Sequence, residues 1–193
     1  YKLDGARIQI HKLGSKVKVY SRRLTDVTES LREVVQLIRD QVKAREAILE
    51  GEVIAVGEDG SPMLFQHLMR RFRRVHDVEG MIKKIPTELY LFDLLYLDGQ
   101  SLITNPYLER RKKLEGISGN IPLTNQLITS DPKEAEEFLE EAINKGHEGL
   151  MAKKLGSPYT PGVRGKRWFK IKKALESLDL VIVAAEWGYG RRH

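Results

Sequence analysis

The sequence of 193 residues contains no cysteine. A chain without thiols has no disulfide framework, no cysteine nucleophile and no thiolate-bound zinc. Its fold must therefore come from a hydrophobic core, and a chain of this length is long enough to enclose one.

Long apolar runs are also absent. The longest, such as residues 180–185, fall far short of the ~18 residues that a membrane-spanning helix needs, so no transmembrane segment and no membrane partner are predicted. Tyr1 is not followed by a charged region and an apolar stretch, so neither a signal nor a transit peptide is predicted. Because the first residue is not methionine, we expect the chain to be a piece of a longer protein or a trimmed version of it.

Several common enzyme signatures are missing as well. The chain has neither a GxGxxG motif nor a P-loop, and its five histidines show no metal-ligand spacing. No pair of acidic residues is placed as a glycosidase requires. A bound nucleotide would therefore need another architecture to hold it.

The positive charge is concentrated in two places. The segment from Lys153 to Lys173 holds eight Lys and Arg residues and no Asp or Glu, which is more than the net charge of +6 on the whole chain. A second cluster consists of Arg70, Arg71, Arg73 and Arg74. Such clusters are typical of surfaces that bind polyphosphate or a nucleic-acid backbone, although a solvated face gives the same pattern.

Apolar periodicity predicts both strands and helices. Alternation on either side of a turn at residues 14–15 predicts a β-hairpin, and an apolar stripe over residues 31–42 predicts an amphipathic helix. The Asp-Pro pair at 131–132 is typical of the start of a second helix, which Gly146 would end. Further strands are predicted at residues 47–56, 89–97, 149–153, 167–172 and 178–187. Without regular βαβ alternation, the predicted class is α+β, with largely antiparallel sheets flanked by helices.

Three residues whose side chains could take part in catalysis or binding lie at the start of the chain: Lys2, Asp4 and Arg7. A lysine is a nucleophile only when deprotonated, and neighbouring cations or burial lower its pKa toward that state. Asp4 could bind a metal or orient the amine. A surface strand end could carry the same residues without any chemistry.

Two lysines near the end of the chain, Lys170 and Lys172, are predicted to project from one face of a strand, with Phe169 and Ile171 pointing into the core. Two ammonium groups on one face repel each other unless an anion lies between them. A phosphate would supply that anion, but lysines that protect an exposed strand edge would look the same.

Carboxylates near the basic clusters suit a magnesium ion that bridges phosphate oxygens. Glu50 and Glu52 share one face of a predicted strand, and Glu148 precedes another. Asp93 lies on an apolar face, which favours a hydrogen-bonded structural role because an unpaired carboxylate would be costly there. Phe92 is typical of a core residue.

Five motifs, taken in order, resemble the nucleotidyltransferase motifs of ATP-dependent DNA ligases. They are KLDGAR at 2–7, LEGEV at 49–53, LFDLL at 91–95, EGLMAK at 148–153 and WFKIK at 168–172. They span nearly the whole chain in the family's order, and residues 21–28 and 63–74 resemble the archaeal and eukaryotic replicative ligases specifically. The resemblance implies the fold shared by DNA ligases and mRNA capping enzymes. It also implies that residues 1–193 form one adenylation domain, without the N-terminal DNA-binding domain and the C-terminal oligonucleotide-binding-fold domain.

The resemblance implies that four residues handle the nucleotide. Lys2 would attack the α-phosphorus of ATP, release pyrophosphate and carry AMP as a phosphoramidate. Arg7 and Glu52 would contact the ribose or its neighbouring phosphate, and Phe92 would stack on adenine.

It implies that five more residues handle phosphate and metal. Lys170 and Lys172 would stabilise charge on the α-phosphate during transfer. Glu148 would bind Mg²⁺, Asp4 would help with the metal or with the 3′-hydroxyl, and Arg22 would meet the nick phosphate.

The implied partners are ATP, nicked double-stranded DNA and, through the missing domains, a sliding clamp. The implied location is cytoplasmic and nucleoid-associated for an archaeal source and nuclear for a eukaryotic one. Three alternatives stay open: a GTP-using capping guanylyltransferase, an RNA ligase, and a non-catalytic nucleic-acid-binding module that uses the basic segment as its groove.

Overall fold

The computed structural model of the protein describes residues 1–72, 76–162, 167–172, 181 and 183–186. Strands and helices are mixed along the described chain, and none of its helices is long and apolar enough to cross a membrane. In chain order the strands are β1 Ala6–Leu13, β2 Lys16–Ser21, β3 Glu46–Ala55, β4 Thr87–Leu97, β5 Gln100–Ser101, β6 Leu150–Lys153 and β7 Trp168–Ile171. The α-helices are α1 Arg32–Gln41, α2 Phe65–Phe72, α3 Val78–Lys84, α4 Tyr107–Ile117 and α5 Pro132–Asn144, and a 3-10 helix, Thr28–Leu31, precedes α1.

The strands form two antiparallel sheets. The larger sheet has the order β2-β1-β3-β4-β5, and the smaller one pairs β6 with β7. The predicted α+β class and the hairpin of β1 and β2 are confirmed. Of the predicted strand at 178–187, residues 181 and 183–186 are described and do not form a strand, and the other five residues lie outside the described part of the chain.

One face of the larger sheet packs against helices and forms the core. The predicted stripe of α1 is buried there through Val34, Val35 and Ile38, against alternate residues of β1 such as Ile8 and Ile10. Burying each of these side chains contributes about 1.5–3 kcal/mol relative to exposure. The opposite face of the sheet is polar and remains available for a site.

The predicted start of α5 is confirmed. The side chain of Asp131 accepts a hydrogen bond from the backbone N–H of Lys133 at 2.9 Å, and Pro132 occupies the first helical position. Gly146, just after the helix, has a φ of 80°, a backbone conformation that glycine adopts without strain.

Two β-bulges in β4 decide which of its side chains face the polar side. The pairing with β3 goes from Glu50–Asp93 directly to Gly51–Leu91, which leaves Phe92 as an extra residue on β4. A bulge re-aims the side chains around it. Phe92 is half-buried on the polar side, whereas Asp93 beside it is fully buried.

Asp93 forms a buried ion pair with Arg110 of α4, which confirms its predicted structural role. The Nε and Nη2 atoms of Arg110 donate to the two carboxylate oxygens at 2.8 and 2.9 Å, and both residues have 0% exposure. Arg110 also donates through Nη1 to the carbonyl of Ser157 at 3.2 Å. The pair therefore joins β4, α4 and the segment that connects β6 with β7.

The predicted arginine cluster does not form a single phosphate-binding surface. Arg71 is only 2% exposed, pairs with Glu33 of α1 at 2.7 Å and donates to the carbonyl of Ile85 at 3.2 Å. It lies three residues after the buried Leu68, so the helical period turns it into the core. Arg70 is exposed, while Arg73 and Arg74 lie outside the described residues.

We expect Asp93→Ala to lower the free energy of unfolding by about 3–5 kcal/mol, because it leaves Arg110 as a buried charge without a partner. Urea unfolding followed by circular dichroism measures this loss. The matched control is Glu141→Ala, which breaks an ion pair with Lys145 whose side chains are both about half exposed. The control should change stability little, and a loss below about 1 kcal/mol for Asp93→Ala would contradict the assigned role.

Candidate active site

A cavity of about 470 Å³ lies between the polar face of the larger sheet and the smaller sheet. It is lined from β1, β3, β4, β6, β7, α5 and the segment at residues 124–129. Six of the nine predicted site residues line it: Lys2, Arg7, Arg22, Glu52, Phe92 and Lys170. The other three, Asp4, Glu148 and Lys172, gather beside Lys2.

The backbone places Lys2 directly against the start of β6. Its N–H donates to the carbonyl of Gly149 at 2.7 Å, and the N–H of Glu148 donates to the carbonyl of Lys2 at 3.0 Å. A side chain at position 149 would collide with the carbonyl oxygen of Ile171, so glycine permits the close approach of β7 beside this pairing. Lys2 is thus fixed by residues far away in the sequence.

Glu148 binds two ammonium groups at once. Its Oε2 atom lies 2.5 Å from the Nζ of Lys2 and also forms an ion pair with Lys172. Although partial burial opposes ionisation, the two lysines lower the pKa of Glu148 to about 2. The carboxylate is therefore charged throughout the physiological pH range.

Asp4 lies beside Glu148 and completes a pair of carboxylates. Its Oδ2 atom accepts a hydrogen bond from the backbone N–H of Phe65 at 3.3 Å, and burial together with the nearby Glu148 raises the pKa of Asp4. Within the described residues no group of three or more His, Asp or Glu side chains could hold a metal. Mg²⁺ commonly binds one or two carboxylates and completes its shell with substrate phosphates and water. The pair fits an ion that arrives with a polyphosphate.

The polar face of the larger sheet presents Arg7 and Glu52 to the cavity. The two residues are direct partners across β1 and β3, but the guanidinium of Arg7 pairs with Glu50 instead. Glu50, one of the carboxylates considered for magnesium, is wholly buried and occupied by protein donors, so it is not available to a metal. Burial raises the pKa of Glu52 to about 7.

Lys153 is held in a cage of aromatic rings. Its Nζ atom lies 4.4 Å from the ring centre of Trp168, 4.6 Å from that of Tyr107 and 4.8 Å from that of Phe92, distances typical of cation–π contacts. Burial lowers the pKa of Lys153 to about 8. From the sequence, Lys153 was predicted to belong to an open basic segment. The spacing of the aromatic residues along the chain gave no indication that they surround it.

The predicted alternation in β7 is only partly right. Lys170 lines the cavity, but β7 ends at Ile171, and Phe169 and Ile171 are 54% and 38% exposed instead of buried in the core. In the described part of the chain this sheet has two short strands, which offer too little apolar surface to enclose the side chains of both faces. Among the remaining basic residues of this segment, Arg164, Lys166 and Lys173 lie outside the described residues.

Arg22 and one unpredicted segment complete the cavity. Arg22 is exposed in the turn after β2 and lies at the rim. Residues 124–129 form a wall and are tied to β4 because the N–H of Thr124 donates to the carbonyl of Leu91 at 3.0 Å. The segment has no regular periodicity, so the sequence carried no signal for it.

The fold and the cavity define a nucleotidyltransferase domain of the ligase type. The protein is similar to a mycobacterial DNA ligase D structure with a TM-score of 0.67 and 29% identity, over 89% of this chain and 52% of that one. Residues 1–172 match the family model described as the ATP dependent DNA ligase domain. The chain therefore belongs to the ATP-dependent DNA ligase family.

Curated archaeal relatives agree with this assignment. The chain is 55% identical to the DNA ligase of Thermococcus fumicolans over 99% of its own length and 35% of the relative's. It is 57% identical to DNA ligase 1 of Korarchaeum cryptofilum over 100% of its own length and 36% of the relative's. The chain thus spans about a third of the length of the relatives that it matches.

We expect Glu52 to titrate with a midpoint near 7, and carboxyl NMR shifts measured against pH report this directly. Because its folded pKa lies above its unfolded value of about 4.5, the folded state should lose stability as pH rises from 4.5 to 7, by on the order of 2–3 kcal/mol. Glu52→Gln should remove that part of the pH dependence of the free energy of unfolding. A midpoint below 5 would contradict the assigned environment.

Proposed function

We propose that the chain is the adenylation domain of an ATP-dependent DNA ligase and that Lys2 is its nucleophile. The deprotonated Nζ of Lys2 attacks the α-phosphorus of ATP, an N–P bond forms, and the bond to the leaving pyrophosphate breaks. The observation that carries this proposal is the position of Lys2 at a cavity that also contains an aromatic ring, a partly buried carboxylate and further cations. The mycobacterial structure, which was determined in complex with ATP, supports the choice of nucleotide.

The nucleoside end of ATP is assigned to three residues that line the cavity. Phe92, turned to the polar side by its bulge, stacks on adenine, while Glu52 and Arg7 bind the ribose or the phosphate next to it. Lys170 and Lys172 stabilise the charge that develops on the α-phosphate, since cations placed before the reaction need no reorganisation during it.

Lys2 has to leave its ion pair and lose a proton before it can attack. Glu148 holds the ammonium in place and, because Lys172 still pairs with it, remains a carboxylate when Lys2 departs. Glu148 and Asp4 are the residues that would hold Mg²⁺. When bound, the ion would neutralise phosphate charge.

The later steps are proposed for the whole protein. AMP passes from Lys2 to the 5′-phosphate of nicked DNA, and the 3′-hydroxyl then attacks to seal the strand, with Arg22 at the rim meeting the nick phosphate. The archaeal DNA ligases, about three times as long, support DNA as the substrate. We further propose that the protein is cytoplasmic and nucleoid-associated, and that its DNA-binding, oligonucleotide-binding-fold and clamp-contacting parts lie outside this domain.

Intact-mass spectrometry after incubation with ATP and Mg²⁺ tests the nucleophile. We expect a mass increase of one AMP that disappears in Lys2→Ala. Lys154→Ala removes the same charge from an exposed side chain and should keep the adduct. An adduct that persists in Lys2→Ala would contradict the assignment.

The same assay separates the alternatives. An adduct with GTP instead of ATP would favour a capping guanylyltransferase, and sealing of RNA but not DNA nicks would favour an RNA ligase. Salt-dependent DNA binding without any adduct would favour a binding module. We expect the domain alone to self-adenylate poorly and to seal nicks poorly. Sealing at the full rate would contradict the proposal that the rest of the protein is needed.

A further inference from the structure

A partly buried hydrogen-bond network holds one side of Arg7. We call the residues Arg7, Glu50 and Tyr159 the Arg7 clasp. The Nε of Arg7 pairs with Oε2 of Glu50, and its Nη2 donates to the hydroxyl of Tyr159 at 2.7 Å. The same hydroxyl lies 3.1 Å from Oε1 of Glu50, so it accepts from the guanidinium and donates to the carboxylate.

Glu50 is fully buried, so its carboxylate depends on hydrogen-bond donors from the protein. It has 0% exposure, and a carboxylate in such a place is costly unless it is paired and hydrogen-bonded. Besides Arg7 and Tyr159, the amide of Gln9 donates to it at 2.9 Å. These donors fix the carboxylate, which can then fix the guanidinium.

The clasp uses only part of the guanidinium. Arginine carries five N–H donors in a rigid plane, and the clasp engages the Nε edge and one Nη2 hydrogen. In the described part of the chain no acceptor is bound to Nη1, and the side chain is 39% exposed at the cavity. The plane is therefore held by the protein while one edge is left for a ligand.

Tyr159 is itself fixed to the scaffold. Its backbone N–H donates to the carbonyl of Ile103 at 2.8 Å, and its ring meets Trp168 edge-on at a centroid distance of 6.5 Å. The segment just before it is held by Arg110 through the carbonyl of Ser157. The hydroxyl therefore reaches Arg7 from a part of the chain independent of β1 and β3.

We propose that Glu50 and Tyr159 are positioning residues that orient Arg7 toward the ribose–phosphate side of the nucleotide. This inference rests on the proposed function, since it concerns the same cavity and the same ATP. Neither residue touches the nucleotide; both act through Arg7. A misplaced guanidinium would hold ATP in a less productive position relative to Lys2, which lowers the rate of adenylation.

A double-mutant cycle tests this inference. Tyr159→Phe keeps the ring and removes the hydroxyl, and we expect it to lower the second-order rate constant of lysyl-AMP formation about tenfold. In an Arg7→Lys background the same change should have less than about a twofold effect, because the guanidinium that it positions is gone. Equal effects in both backgrounds would overturn the proposal, as would no effect of Tyr159→Phe alone.

Controls separate positioning from stability. Tyr96→Phe removes a tyrosine–glutamate hydrogen bond of 3.1 Å to Glu46 on the same sheet, away from the cavity, and should leave the rate unchanged. Glu50→Gln offers a second route: it should also lower the rate, and its effect should also vanish with Arg7→Lys. Free energies of unfolding, measured for every variant, show whether a lost rate reflects lost folding.

AMP affinity, measured by calorimetry through the same cycle, keeps this inference distinct from the proposed function. Coupling between Tyr159→Phe and Arg7→Lys in AMP binding, with no adduct in the unmodified chain, would overturn the assigned chemistry and leave the clasp standing. If the unmodified chain forms the adduct but the effects of Tyr159→Phe and Arg7→Lys are additive, the assigned chemistry stands and the clasp is overturned. Additive effects on AMP binding, with no adduct in the unmodified chain, would overturn both.

Discussion

The site depends on one carboxylate that holds two cations together. Glu148 binds the ammonium groups of Lys2 and Lys172, which would otherwise repel each other at the end of the cavity. The backbone N–H of Glu148 also donates to the carbonyl of Lys2, beside the hydrogen bond from Lys2 to Gly149. Electrostatics and main-chain geometry therefore reinforce each other. An anion that enters the cavity would compete with Glu148 for these cations, so in the proposed function nucleotide binding is coupled to release of Lys2.

Structural and functional side chains alternate at close range in β4. Phe92 faces the cavity because a bulge turns it there, while Asp93 anchors α4 through Arg110 on the buried side. Arg110 in turn fixes Ser157, which lies two residues before Tyr159. Core packing and the placement of Arg7 are thus linked through a single ion pair.

Local patterns in the sequence were enough to predict the hairpin, α1 and α5, since each depends on residues close together in the chain. Six of the nine residues to which the motif resemblance gave a role line the cavity. What it could not find depends on contacts between distant segments: Arg71 turns inward because α2 packs on the core, and Lys153 is caged by rings from three elements. Phe169 and Ile171 are exposed, and among the described strands β7 pairs with β6 alone, which alternation within one strand does not reveal.

The contacts that build the site join the two ends of the domain, and this affects how the protein folds. Arg7 and Tyr159 are 152 residues apart in the sequence, and the entropic cost of closing a loop rises with its length. Folds with such long-range contacts form slowly compared with those built from local ones. The hairpin that carries Arg7 can therefore form early, but during synthesis the lysine at position 2 has no site around it until β6 has left the ribosome.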